Sequence, residues 1–192
     1  MNTSPFIDIS TVNLSRALRW HPQGLASWSM SDWYAALAGE VGELCEVVAQ
    51  INESRFSDSN RTLLAALGNE IGDVYAYGDL FAQSVGYHFV HCCQTVPFPL
   101  HTGTIITAAN KVAIAAGKLG DIVKKLNRVR DGLAGNRVTS DELHGQLSYY
   151  LGLLGCSLSL VANRAGMHLA PCVVTKFNAV SERMGFPEKL TA

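Results

Sequence analysis

At 192 residues, 48% apolar and 16% charged, the chain can close one hydrophobic core, and its composition is that of an ordinary soluble globular domain. Fifteen basic and sixteen acidic residues leave a net charge of −1. No global field then favours nucleic acid, an anionic membrane or a basic partner, so any charge-based function must be local.

The opening "MNTSPFIDIS" lacks the basic and apolar regions of a leader, and the longest apolar run, "YLGLLGCSLSLVA", is short for a bilayer span. Both predict a cytoplasmic protein with no membrane partner. Next comes "LRWHPQGLASWSMSDWY", with three tryptophans. Trp33 shares a stripe with Leu37 and is predicted to be core. Trp20 and Trp28 flank a Pro/Gly loop that no helical packing demands.

From there apolar residues recur at helical spacing, as in Leu37, Val41, Leu44, Val48, Ile51 and Leu64, Leu67, Ile71, Val74. The fold is predicted to be all-α, a single domain over 1–192. Breaks fall at 21–27, 54–60, 97–103 and 131–137, each rich in Gly, Pro, Ser or Asn. Thr139 with Glu142 forms a capping box that starts a helix. The long helices then run over about 31–53, 61–94, 104–130, 140–166 and 171–184. Cys45, Cys92, Cys93, Cys156 and Cys172 sit mostly within these apolar stretches and never as CxxC, which predicts reduced core thiols rather than zinc ligands or disulfides.

The first two long helices carry the local charge. Glu40 and Glu43 stand three apart in "AGEVGELCEVV", on one flank of the Leu37–Leu44–Ile51 stripe, while Glu46 points away. Glu70 and Asp73 repeat that spacing in "NEIGDVYAY". A lone ExxE usually marks a solvated face. Here both pairs flank a core stripe, and a close approach at Gly39, Gly42 and Gly72 would converge four carboxylates on one seam. Such acids repel unless a cation compensates, and all-oxygen ligation suits Mg²⁺, with Mn²⁺ as a substitute. Asp79 falls on the opposite side of its helix from Glu70 and reads as a capping or salt-bridging residue. His88, His91, His101, His144 and His168 lack metal-ligand spacing, which predicts ordinary hydrogen bonding and weighs against a di-iron carboxylate protein with its Glu-x-x-His motifs.

The chain also overlies itself. "LAGEVGELCEVV" aligns with "AAGKLGDIVKKL", and "LGNEIGDVYAYGDLFAQSVGYHF" with "LSYYLGLLGCSLSLVANRAGMHL", pairing Gly72 with Gly152, Gly86 with Gly166 and His88 with His168. This predicts two repeated helical hairpins, about 31–96 and 104–184, packed as a pseudo-dimer within one chain. In the second copy Lys118, Tyr150 and Leu153 replace three of the four acids. Only Asp121 remains, so that copy is degenerate. Lys118 and Lys111 are candidates to lend a cation.

"GEVGE", "NEIGDVYAYGDLFAQSVG" and the late "KFNAVSERMGFP" together resemble the MazG-like all-α nucleoside triphosphate pyrophosphohydrolases, a group related to the dimeric dUTPases. The resemblance covers about Trp33 to Gly86 and resumes near Lys176. It implies Mg²⁺ held by Glu40, Glu43, Glu70 and Asp73, and cleavage of a nucleoside triphosphate between its α and β phosphates. Glu43 also becomes the candidate to orient the attacking water or take its proton. Lys176, Asn178 and Arg183 match the late motif and are candidates for phosphate or sugar. With a phosphate site next door, Trp20 and Trp28 become stacking platforms for the base. The resemblance leaves a homodimer open. The alternative is a catalytically silent nucleotide-binding or helical interaction protein.

Overall fold

A computed structural model describes residues 5–54, 60–97, 103–133 and 139–191. The described residues form seven α-helices and no strand: α1 (Ser10–Trp20), α2 (Met30–Glu53), α3 (Asn60–Ser84), α4 (Phe89–Thr95), α5 (Ile105–Arg130), α6 (Ser140–Arg164) and α7 (Leu169–Arg183), with a 3₁₀ turn at Gly24–Ser27. Two starts are set by reciprocal capping boxes, Ser29 with Asp32 on α2 and Thr139 with Glu142 on α6. The expected breaks at 54–60, 97–103 and 131–137 fall largely outside the described residues, as does His101.

Two elements differ from the sequence reading. α1 was not anticipated. The single helix expected over 61–94 is broken at Gly86, whose φ of 83° lets the Tyr87 amide return to the Ala82 carbonyl at 2.8 Å. This left-handed stop frees α4 to turn away. Gly166, with φ of 71°, ends α6 in the same way, with Met167 N–H on the Ala162 carbonyl at 2.9 Å.

α2 packs on α3 and α5 on α6, and α2 meets α5 across the middle. The short third helices are exchanged: α7 lies on α3, and α4 lies on α6. Two glycines permit these approaches. A Cβ on Gly72 would meet the Lys176 side chain at 2.5 Å and the Cys172 carbonyl at 3.2 Å, and one on Gly152 would strike the Cys92 carbonyl. The two crossings are alike in their residues, with the Cys172 carbonyl against Gly72 and the Cys92 carbonyl against Gly152. Gly39 and Gly42 do not share this role. A Cβ at either meets nothing within 4 Å, because that side of α2 faces solvent.

The core joins all the long helices through Trp33, Leu37, Leu44, Ile71, Tyr75, Phe81, Leu119, Ile122, Leu147 and Leu154, and all five cysteines are free. α6 is long and apolar enough to cross a bilayer by length and composition, contrary to the reading of its apolar run. Two-thirds of that window is buried inside the protein, and the apolarity serves the core. α1 is stapled to α3 by polar contacts: Asn13 Nδ2 donates to the Ala76 carbonyl and to Asp79 Oδ2, both at 2.9 Å, and Gln83 Nε2 donates to the same Asp79 oxygen at 2.8 Å. Asp79 therefore neither caps a helix nor forms a salt bridge among the described residues. It is a buried acceptor for two amides.

Candidate functional site

Glu40 and Glu43 project from consecutive turns of α2 towards α3, whose middle presents Glu70 and Asp73. Oxygens of Glu40, Glu43 and Glu70 come within 4.8 Å of one another. Asp73 adjoins this trio but is engaged elsewhere, accepting from Lys176 Nζ at 2.6 Å, with both side chains about one-fifth exposed. The close α3–α7 crossing at Gly72 puts Lys176 there.

The acids perturb one another. Glu40 is pushed up to about 7, first by burial and then by Asp73, Glu43 and Glu70, against an opposing pull from Lys176. Burial likewise raises Glu70, with Asp73 adding to it. Asp73 is raised because its burial outweighs the stabilising contacts from Lys176 and Arg16. Glu70 Oε2 is buried with no hydrogen-bond partner. An orphaned carboxylate oxygen among two further carboxylates is a donor set that suits a hard divalent cation.

Glu40 and Asp73 also line a cavity of about 440 Å³ formed by α1, the 3₁₀ region, α2, α3 and α7. Trp20, Trp28, Lys176 and Arg183 all stand on its wall. The two tryptophans are 40% and 38% exposed. Trp28 packs at 4.8 Å from Trp33 and 4.5 Å from His21. Trp33 is fully buried, and its Nε1 donates to the Leu25 carbonyl at 3.0 Å.

Asn178 does not line this cavity. Its Nδ2 donates to the Leu190 carbonyl at 2.9 Å and its Oδ1 accepts the Leu190 amide at 2.8 Å, so both ends hold the C-terminal tail rather than facing a substrate. Lys111 and Lys118 do not line it either. Asp121 is tied to Lys124 and Lys125 along its own helix, contacts that lower it to about 2.

The polar cavity residues Arg16, His21 and Tyr77 escaped the sequence reading, as did the apolar Ala76, Leu80 and Val180. Arg16 and Trp20 lie four apart on α1 and so share a face, a signal that was present in "SRALRW". Compared with protein-family models, curated proteins and solved structures, the chain matches none of them.

Proposed function

We propose that the chain is a Mg²⁺-dependent nucleoside triphosphate pyrophosphohydrolase that releases pyrophosphate and a nucleoside monophosphate. The observation that carries this reading is that the Glu40–Glu43–Glu70 cluster, with its unpartnered Glu70 oxygen, shares Glu40 with a cavity lined by Trp20, Trp28, Lys176 and Arg183. Acids for a metal, cations for phosphate and rings for a base are what a nucleoside triphosphate requires. The motif resemblance adds the α–β position of cleavage.

Glu40, Glu43 and Glu70 would hold Mg²⁺ or Mn²⁺, with Asp73 joining them by giving up Lys176. When bound, the metal supplies positive charge to the phosphates and to the attacking water. Release from Asp73 turns the Lys176 ammonium towards phosphate oxygen. Glu43, the most exposed of the three clustered glutamates, accepts the proton as water adds at the α-phosphorus and the bridging oxygen leaves with pyrophosphate. Trp20 and Trp28 hold the base. The repeat alignment and the equivalent helix crossings support an internal duplication in which the second half lost its acids and now closes the first.

The test is pyrophosphate release from a panel of canonical and modified triphosphates with and without Mg²⁺. Glu40→Gln and Asp73→Asn should lose turnover by at least about a hundredfold while keeping their helical signal, and Asp121→Asn should match the wild type. Nucleotide binding without metal-dependent release by the wild type would instead favour the catalytically silent alternative.

A further inference from the structure

Arg16 stands on the wall of the same cavity and is only 6% exposed. Its guanidinium lies 3.5 Å from the Phe177 ring centre and 5.6 Å from that of Trp20, and Nη1 donates to the Phe177 carbonyl at 3.0 Å. Nε is buried with no partner. Among the described residues Arg16 forms no ion pair, and Asp73, the acid that couples to it most strongly, is held by Lys176. Burying an unpaired charge is strongly unfavourable, and an aliphatic side chain could fill the space between Phe177 and Trp20 at less cost. A donor-only fork held by a ring and a carbonyl at the wall of a cavity, with Nε unpartnered, calls for an anionic oxygen.

Its position says which one. Arg16 shares the cavity wall with Glu40 and Asp73, and the Trp20 ring centre lies 5.6 Å from its guanidinium, which puts it at the gap between the acidic and aromatic walls. A nucleotide with its base against the tryptophans and its outer phosphates at the acids brings its α-phosphate to that gap. We propose that Arg16 binds the α-phosphate of the nucleotide, the phosphate retained by the monophosphate product. This rests on the nucleotide reading of the cavity but needs neither metal nor turnover.

Calorimetry in EDTA, using the four 2′-deoxynucleosides and their 5′-monophosphates on the full chain, tests it. The wild type should prefer a monophosphate to its nucleoside. Arg16→Gln should weaken the monophosphate about ten- to hundredfold, the value of one charge-assisted hydrogen bond, and leave the nucleoside unchanged. Arg16→Lys, which keeps the charge but loses the fork, should fall between them. Equal weakening of both ligands in Arg16→Gln would reduce Arg16 to a clamp between α1 and α7 and overturn the proposal. Should that variant fail to fold, an unchanged monophosphate affinity in Arg16→Lys overturns it instead. A wild type that shows the monophosphate preference through Arg16 yet releases no pyrophosphate would sink the hydrolase reading and uphold this one. A wild type that does not distinguish monophosphate from nucleoside would overturn this proposal whatever its turnover.

Discussion

Glu40 shows how a single side chain can report on the site. Its pKa of about 7, against an ordinary 4.5, means that the folded apoprotein binds a proton there which the unfolded chain has already released between those values. The metal-free protein should therefore lose stability as pH rises from about 4.5 to 7, and Glu40→Gln should flatten that decline in melts run in EDTA. Metal and proton compete for the same oxygens, so Mn²⁺ affinity should fall as pH drops below about 7. An affinity independent of pH between 5 and 8 would remove Glu40 from the ligand set. Asp79 makes a separate case, raised to about 6 by burial despite the amides of Asn13 and Gln83. Its ionisation costs stability between about pH 4 and 6. Asp79→Asn keeps an oxygen for both donors and should abolish that part of the slope without lowering the melting temperature at pH 7. At this scale the sequence was informative wherever partners share a helix: Glu40 with Glu43 and Glu70 with Asp73 follow from a spacing of three. It was silent on Asp73 with Lys176 and on Arg16 with Phe177, because over a hundred residues separate each pair and only the docking of α7 joins them.

Among the elements, α7 governs the site most directly. It reaches α3 where Gly72 has no side chain, and the next residue, Asp73, then meets Lys176. Gly72→Ala must push the two helices apart, since its Cβ would lie 2.5 Å from that of Lys176. A cost of about 1–3 kcal/mol in denaturant unfolding is expected, together with a rise in KM from the displaced lysine. An unchanged KM with reduced stability would separate the packing of α7 from any role in binding. The long helices were legible because their apolar stripes carry the 3.6-residue period and because Thr139 and Glu142 announce a start. α1 was not, since its inward face is built from Asn13 and Arg16 beside Ala17, polar groups that bond to α3 and α7 instead of forming an apolar stripe. The interruption at Gly86 was hidden for a related reason: apolar residues continue on both sides of it, and a single glycine within a helical pattern does not by itself reveal a left-handed turn.

For the whole molecule, Gly72 and Gly152, which stand at two close helix crossings, were visible in the sequence, whereas which helix crosses at each was not. Periodicity describes which face of a helix is buried but not which neighbour buries it. The C-terminal tail adds to this closure. Glu188 accepts from Arg19 at 2.9 Å and from Ser15 at 3.2 Å, while Phe186 lies edge-on to Trp20 at 5.3 Å, so the last residues hold α1 beside the cavity.

Because α4 covers α6 and α7 covers α3, neither half carries the lid for its own hairpin. During synthesis the acids of α2 and α3 emerge well before the lysine that meets them, so a ribosome-bound chain holds an incomplete site until α7 has been made. The interlock also means that continuity of the chain is dispensable. Cut within 98–102 and expressed as two polypeptides, the halves should be insoluble or molten alone and should combine one to one into a stable, helical heterodimer, read by size exclusion and thermal melting. A first half that folds and stays monomeric by itself would show that the exchanged helices decorate two independent units rather than lock them together.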